Sequence, residues 1–131
     1  MKRRLILRAV YAACLLAGTW THVTLVWRHG LLWDYGGVSE FTRVYWTSLT
    51  LLDPLTALTL FVYPRVGLVA TLVIILSDVA HNLWFGATYH ISFNWMIAAQ
   101  CAFLIFVLAT LRATWRSLSA TPAMTRRGTL A

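Results

Sequence analysis

Charge is what this sequence lacks. Only 11% of its 131 residues are Asp, Glu, Lys or Arg, against roughly a quarter in a soluble globular chain. Acids are scarcest: Asp34, Glu40, Asp53 and Asp78 complete the set. That stock cannot cover a water-facing surface, so most of this surface does not face water. Cysteine occurs twice, as Cys14 and Cys101, each inside an apolar run and far from the other. No spacing suggests a metal or redox motif, so neither a metal nor a cofactor is expected, and both thiols read as small packing residues. Lysine occurs once against ten Arg, a bias in keeping with a GC-rich genome.

What is present is apolar. Hydrophobic residues make up 60% of the chain and aromatic residues 14%, with seven Trp. Four apolar runs of about 20 residues, the length that crosses the hydrocarbon, cover 5–27, 41–63, 66–85 and 91–111. The first is longer than the ~7–15 residues of a signal-peptide core and lacks a small-x-small cleavage site, so it reads as a retained span. His29-Gly30, Trp33-Asp34-Tyr35 and Gly36-Gly37 interrupt helix between the first two runs, Pro64-Arg65 and Gly67 mark a tight turn, and 86–90 forms a short polar turn. Because only helices satisfy their own backbone in lipid, the expected fold is all-α, an integral membrane four-helix bundle. Its single domain spans 1–116, and a basic tail over 117–131 is expected to be disordered.

The net charge of +7 invites a nucleic-acid reading, which the positions oppose. Nine of the eleven cations lie in the two tails or at Arg65, flanking apolar runs. That is the pattern of topology signals with attraction to anionic lipid, and it predicts no nucleic-acid partner. The connections 28–40 and 86–90, with the helix ends beside them, hold only Arg28 and Arg43. The positive-inside rule then places both termini in the cytoplasm, in a bacterial inner membrane or, alternatively, the endoplasmic reticulum.

Ionisable residues at membrane depth mark function by default. Asp53 falls about 18 Å from the outer end of the second run, at ~1.5 Å per residue. Asp78, His81 and Asn82 sit at i, i+3 and i+4 and should share a helix face. His22, Asn94 and Gln100 approach the same depth from the first and fourth runs. Tyr45, Trp46, Trp84, Trp95 and Phe103 offer aromatic walls, and six of seven Trp belong to the outer half or its loop. Together they predict a polar, aromatic-walled pocket holding a lipophilic small molecule, with membrane lipid as the surrounding partner and cation–π contact available to an amine. Arg8 should snorkel to the opposite interface, and the rest of that half should be apolar.

The order of features resembles the EXPERA-domain superfamily, which includes the emopamil-binding sterol isomerases and the sigma-2 receptor. The first run reads Gly18-Thr19-Trp20-Thr21-His22-Val23, the second Pro54-Leu55-Thr56-Ala57-Leu58, the third Ser77-Asp78-Val79 and the fourth Gln100-Cys101-Ala102-Phe103. The resemblance implies a four-helix cavity for sterols or amphipathic amines. In the isomerases of the family, carboxylates move a proton on and off a sterol double bond, and a Trp stabilises the carbocation. Here the first-helix acid falls on Val26, the second-helix acid near Tyr45, and the fourth-helix aromatic is Phe103 rather than Trp. His22 and Asp78 match, and Asp53 stands at a new place.

Binding of a sterol, terpenoid or hydrophobic amine is therefore the leading expectation. The alternatives are a sterol or terpenoid isomerase or cyclase, with Asp53, Asp78 and His81 as its catalytic groups, and a structural subunit whose polar residues bind a partner's helices. A small proton-coupled transporter, working as a homodimer, ranks last because no chain of acids crosses the bilayer.

Overall fold

The computed structural model describes residues 2–119, and the expectation for the tail beyond Ser119 lies outside them. Four α-helices follow one another: α1 (Lys2–His29), α2 (Glu40–Val62), α3 (Pro64–Thr88) and α4 (Trp95–Ser119). There is no strand among the described residues. α2 packs extensively against α1 and also against α3, α3 against α4, and α4 closes back more sparsely onto α1. The up-down order leaves two connections, 30–39 and 89–94, at one end of the bundle. This is called the loop end. The terminal end carries the start of α1, the α2–α3 junction and the last turns of α4.

Helices α1, α3 and α4 each contain a stretch long and apolar enough to cross a membrane, Leu5–His29, Pro64–Thr88 and Trp95–Arg116. The chain is an all-α integral membrane bundle. α2 is the polar member. Its 23 residues are sufficient in length, but Arg43, Asp53 and a set of hydroxyl side chains lower its hydropathy. They are sorted by face: Thr42, Asp53 and Thr56 are buried, whereas Leu51, Leu55 and Leu58 are exposed. A helix that is apolar outside and polar inside suits lipid as its solvent.

The ends of the helices differ from the sequence expectations for local reasons. α3 begins at Pro64 itself, since proline at the first helical position gives up only an N–H that has no partner there anyway. The junction is thus the single residue Tyr63, which caps both helices. Gly67 is not a turn residue. A Cβ there would fall 2.6 Å from Leu60 Cα and from the Thr59 carbonyl carbon, so this glycine lets α2 and α3 touch backbone to backbone. At its other end α3 runs through 86–88, expected as turn, and stops in a Schellman-type turn with Ile91 N–H donating to Gly86 O (2.9 Å). His90 occupies the left-handed region at φ 54°. α4 starts at Trp95, four residues later than expected, because Asn94 caps it: its Oδ1 accepts from Met96 and Ile97 N–H at 3.0 and 3.2 Å. It also continues through 117–119, beyond the expected domain boundary at 116.

The core runs from Tyr11, Ala12 and Leu15 through Ala57, Leu60, Leu68, Ile75 and Val79 to Val107. At the terminal end its polar groups are paired. Arg8 donates to Leu60 O at 3.2 Å and lies over the Phe61 ring. The cation thus sits against the last turn of α2, where a helix favours positive charge. Tyr11 is fully buried, with its hydroxyl 2.6 Å from Thr110 Oγ1 and 3.5 Å from Thr114 Oγ1. Both threonines spend their protons on carbonyls of α4, so Tyr11 is the donor. This half is therefore not simply apolar, as expected, but contains a buried hydroxyl cluster.

Candidate functional site

The site is built around Asn82. Its Oδ1 accepts from Trp46 Nε1 (3.2 Å), and its Nδ2 donates to Asp78 Oδ1 (2.9 Å) and Gln100 Oε1 (3.1 Å). One side chain thus ties α2, α3 and α4 together. Asp78 is 8% exposed, and Asn82, one helical turn on, reaches it by i,i+4 geometry.

His81 does not share that face. One residue short of Asn82 in rotation, it turns toward α2, where its ring lies among Phe41, Tyr45, Trp46 and Trp84, with centroids 4.6–5.8 Å away. The expected Asp78–His81–Asn82 triad is divided: two groups point into the bundle and one into an aromatic seam. Tyr45 donates to Ser77 Oγ at 2.9 Å, since Ser77 already donates to Ile74 O. The seam continues into the α1–α2 loop, where Trp46 meets Tyr35, Tyr35 meets Trp33, and Trp33 stacks on His29 at 3.9 Å. Burial pushes the Tyr35 hydroxyl above its ordinary range, and the nearby Thr47 hydroxyl opposes the shift.

A cavity of about 160 Å³ opens between α2, α3 and α4 beside Asn82. Trp46, Phe85, Ile97, Asn82, Gln100 and Asn94 contribute to its wall. Of the residues expected to bind a ligand, it brings together Trp46, Asn82, Asn94 and Gln100. Among the described hydrogen bonds none uses Gln100 Nε2, so a donor remains on a side chain of the cavity wall.

The other expected residues lie elsewhere. Trp84 is 50% and Trp95 75% exposed, and neither lines the cavity, because their helical positions face outward. Phe103 packs edge-on against Tyr11 at 6.3 Å, on the terminal side. Asp53 is 5% exposed and faces α1, where Gly18 has no side chain and a Cβ would come within 3.0 Å of its Oδ2. His22 lies on α1 one turn beyond Gly18. Phe85, Gly86 and Ile97 were missed as wall residues. Nothing in an apolar residue's type announces a cavity, although their helical spacing from Asn82 and Gln100 was available. A second, more open groove of about 350 Å³ lies at the terminal end beside Tyr63, Arg65 and Leu118, away from this polar network.

Among the described residues no group of three or more His, Cys, Asp or Glu is placed to hold a metal ion. No protein-family model, curated protein or solved structure matches the chain.

Proposed function

We propose that this protein binds a lipophilic molecule of sterol or terpenoid class through an oxygen-bearing ring, with both termini on the cytoplasmic side of the membrane. The observation that carries the reading is the cavity beside Asn82, apolar in most of its wall and polar where Asn82 and Gln100 meet. Small-molecule sites are mostly apolar concavities with a few placed polar groups. A volume of about 160 Å³ is below the ~300–1,000 Å³ of a whole-ligand pocket. It suits one ring, in line with engineered cavities of about 150 Å³ that take benzene, with the remainder of the molecule lying along the helices in lipid. The unspent Gln100 donor favours a hydroxyl or carbonyl oxygen over an amine.

A binding role is supported over protonation chemistry because neither Asp53 nor Asp78 lines the cavity. The cation distribution supports the orientation, with Arg65, Arg112 and Arg116 at the terminal end. Detergent-solubilised protein is expected to gain thermal stability with hydroxylated sterols or terpenoids, and less with their hydrocarbon analogues. Gln100→Met should abolish that preference, and equal stabilisation of the variant by both compounds is the result expected. If the unaltered protein responds to neither class, the reading is wrong.

A further inference from the structure

Polar atoms buried without a partner are not spread evenly through the bundle. Among the described residues six buried side-chain atoms lack a hydrogen bond: His81 Nε2 belongs to α3, where its ring lies in the aromatic seam, and the other five, His22 Nδ1, Arg43 Nε, Thr47 Oγ1, Thr50 Oγ1 and Asp53 Oδ1, all belong to α1 or α2. The four on α2 follow one another at i, i+4, i+7 and i+10. At ~100° per residue that is one face, within an arc of about 120°. His22 joins them from across the helix pair. Gly18 touches Asp53 and Arg8 reaches Leu60. These contacts fix the antiparallel register and bring His22 level with Leu49 and Thr50.

Threonine behaviour sets this seam apart. Thr19, Thr21, Thr24, Thr59, Thr71, Thr88, Thr110 and Thr114 donate to carbonyls of their own helices. Thr47 and Thr50 do not. Pro54 adds a further acceptor, since it has no N–H to give the Thr50 carbonyl. At the loop end the row finishes at the partly exposed Arg43, 3.9 Å from Glu40, and at Tyr35, whose hydroxyl is near Thr47 but outside hydrogen-bonding geometry with it. On the terminal side of Asp53 the next α2 groups are apolar or paired: Ala57 and Leu60 are core, and Thr59 donates to Thr56 O.

The geometry points to an aqueous half-channel along the α1–α2 seam, entered at the loop end between Arg43 and Tyr35 and ending at Asp53, through which Asp53 exchanges protons with that compartment. Unpaired polar groups at membrane depth persist where they line water, and each orphaned atom here is a hydrogen-bonding position for a file of waters. The Asp53 carboxylate takes a proton from the last water, forming O–H, and a proton relayed inward from bulk restores that water. Release runs the same steps in reverse. The ionisable groups near enough to Asp53 to interact with it electrostatically are Asp78 from α3 and Tyr45 from α2 itself, and His22 lies on α1 about one turn nearer the loop end. Asp78 is held by Asn82 and belongs to the other network.

This inference does not rest on the ligand cavity, whose wall contains none of these five residues, so either can fail alone. Single cysteines at Thr47 and Thr50, in a chain carrying Cys14→Ala and Cys101→Ala, should react with a charged, membrane-impermeant thiol reagent added on the loop side. The expected rate is about tenfold or more above that of cysteines at core Leu49 and lipid-facing Leu51. Equal rates, or reaction only from the terminal side, would overturn the half-channel. The unaltered protein supplies a second reading that needs no variant. In bilayers, magnetisation transferred from water by solid-state NMR should reach the His22, Thr50 and Asp53 side chains as fast as the 30–39 loop. Transfer as slow as to Leu68 and Val107 would equally overturn it.

Discussion

The two ends of the bundle bury comparable polar groups and treat them in opposite ways. At the terminal end the described buried groups have protein partners: Tyr11 with Thr110, Arg8 with Leu60 O, Thr71 with Gly67 O. At the loop end Asn82 organises one satisfied network, while among the described residues the α1–α2 face beside it leaves five buried atoms unpaired and His81 Nε2 makes a sixth. Paired polar groups hold helices together. Unpaired ones in a medium without water are costly unless something enters to meet them. The contrast separates the part of the molecule that is scaffold from the part that is open to function.

That separation can be tested by substitution, beginning where the effect is largest. Gly67→Ala drives a methyl into the Leu60 and Thr59 backbone and should cost about 3 kcal/mol, read as a fall in the unfolding midpoint in mixed micelles. Asn82→Leu removes three hydrogen bonds and strands Asp78 Oδ1 and Trp46 Nε1. A loss of about 2 kcal/mol is expected, together with loss of the preference for hydroxylated lipids. Tyr11→Phe deletes one buried donor and should cost about 0.6 kcal/mol, the average for hydrogen bonds between membrane helices. Thr50→Val sits at the bottom of the scale. Its hydroxyl has no protein partner, so the change should fall within about 0.5 kcal/mol of zero. If Thr50→Val proves as costly as Tyr11→Phe, the two ends do not differ in the way described.

The helices were legible because apolar run length and lipid thickness leave few choices. Their ends were less so. The capping role of Asn94 was hidden by its place beside an apolar run, and Pro64 was read as a turn when its fixed φ suits the first helical position equally well. Of the site, Trp46, Asn82 and Gln100 were legible from type and depth. The separation of His81 from Asp78 was not, because i+3 and i+4 lie on either side of a helix face and only packing decides which one turns inward. The contrast between Thr50 and Thr110 was beyond sequence altogether, since it depends on whether a hydroxyl bends back to its own helix.

Tyr63, the single residue that ends α2 and begins α3, also constrains how the chain enters a membrane. Of the four described helices α2 alone contains no stretch that length and composition mark as a span, and the close backbone approach at Gly67 holds it against a helix that does. Partition of α2 into lipid is then expected to depend on its pairing with α3. A chain ended after Tyr63 should leave α2 accessible to protease on the side where synthesis occurs, and extension through Thr88 should protect it.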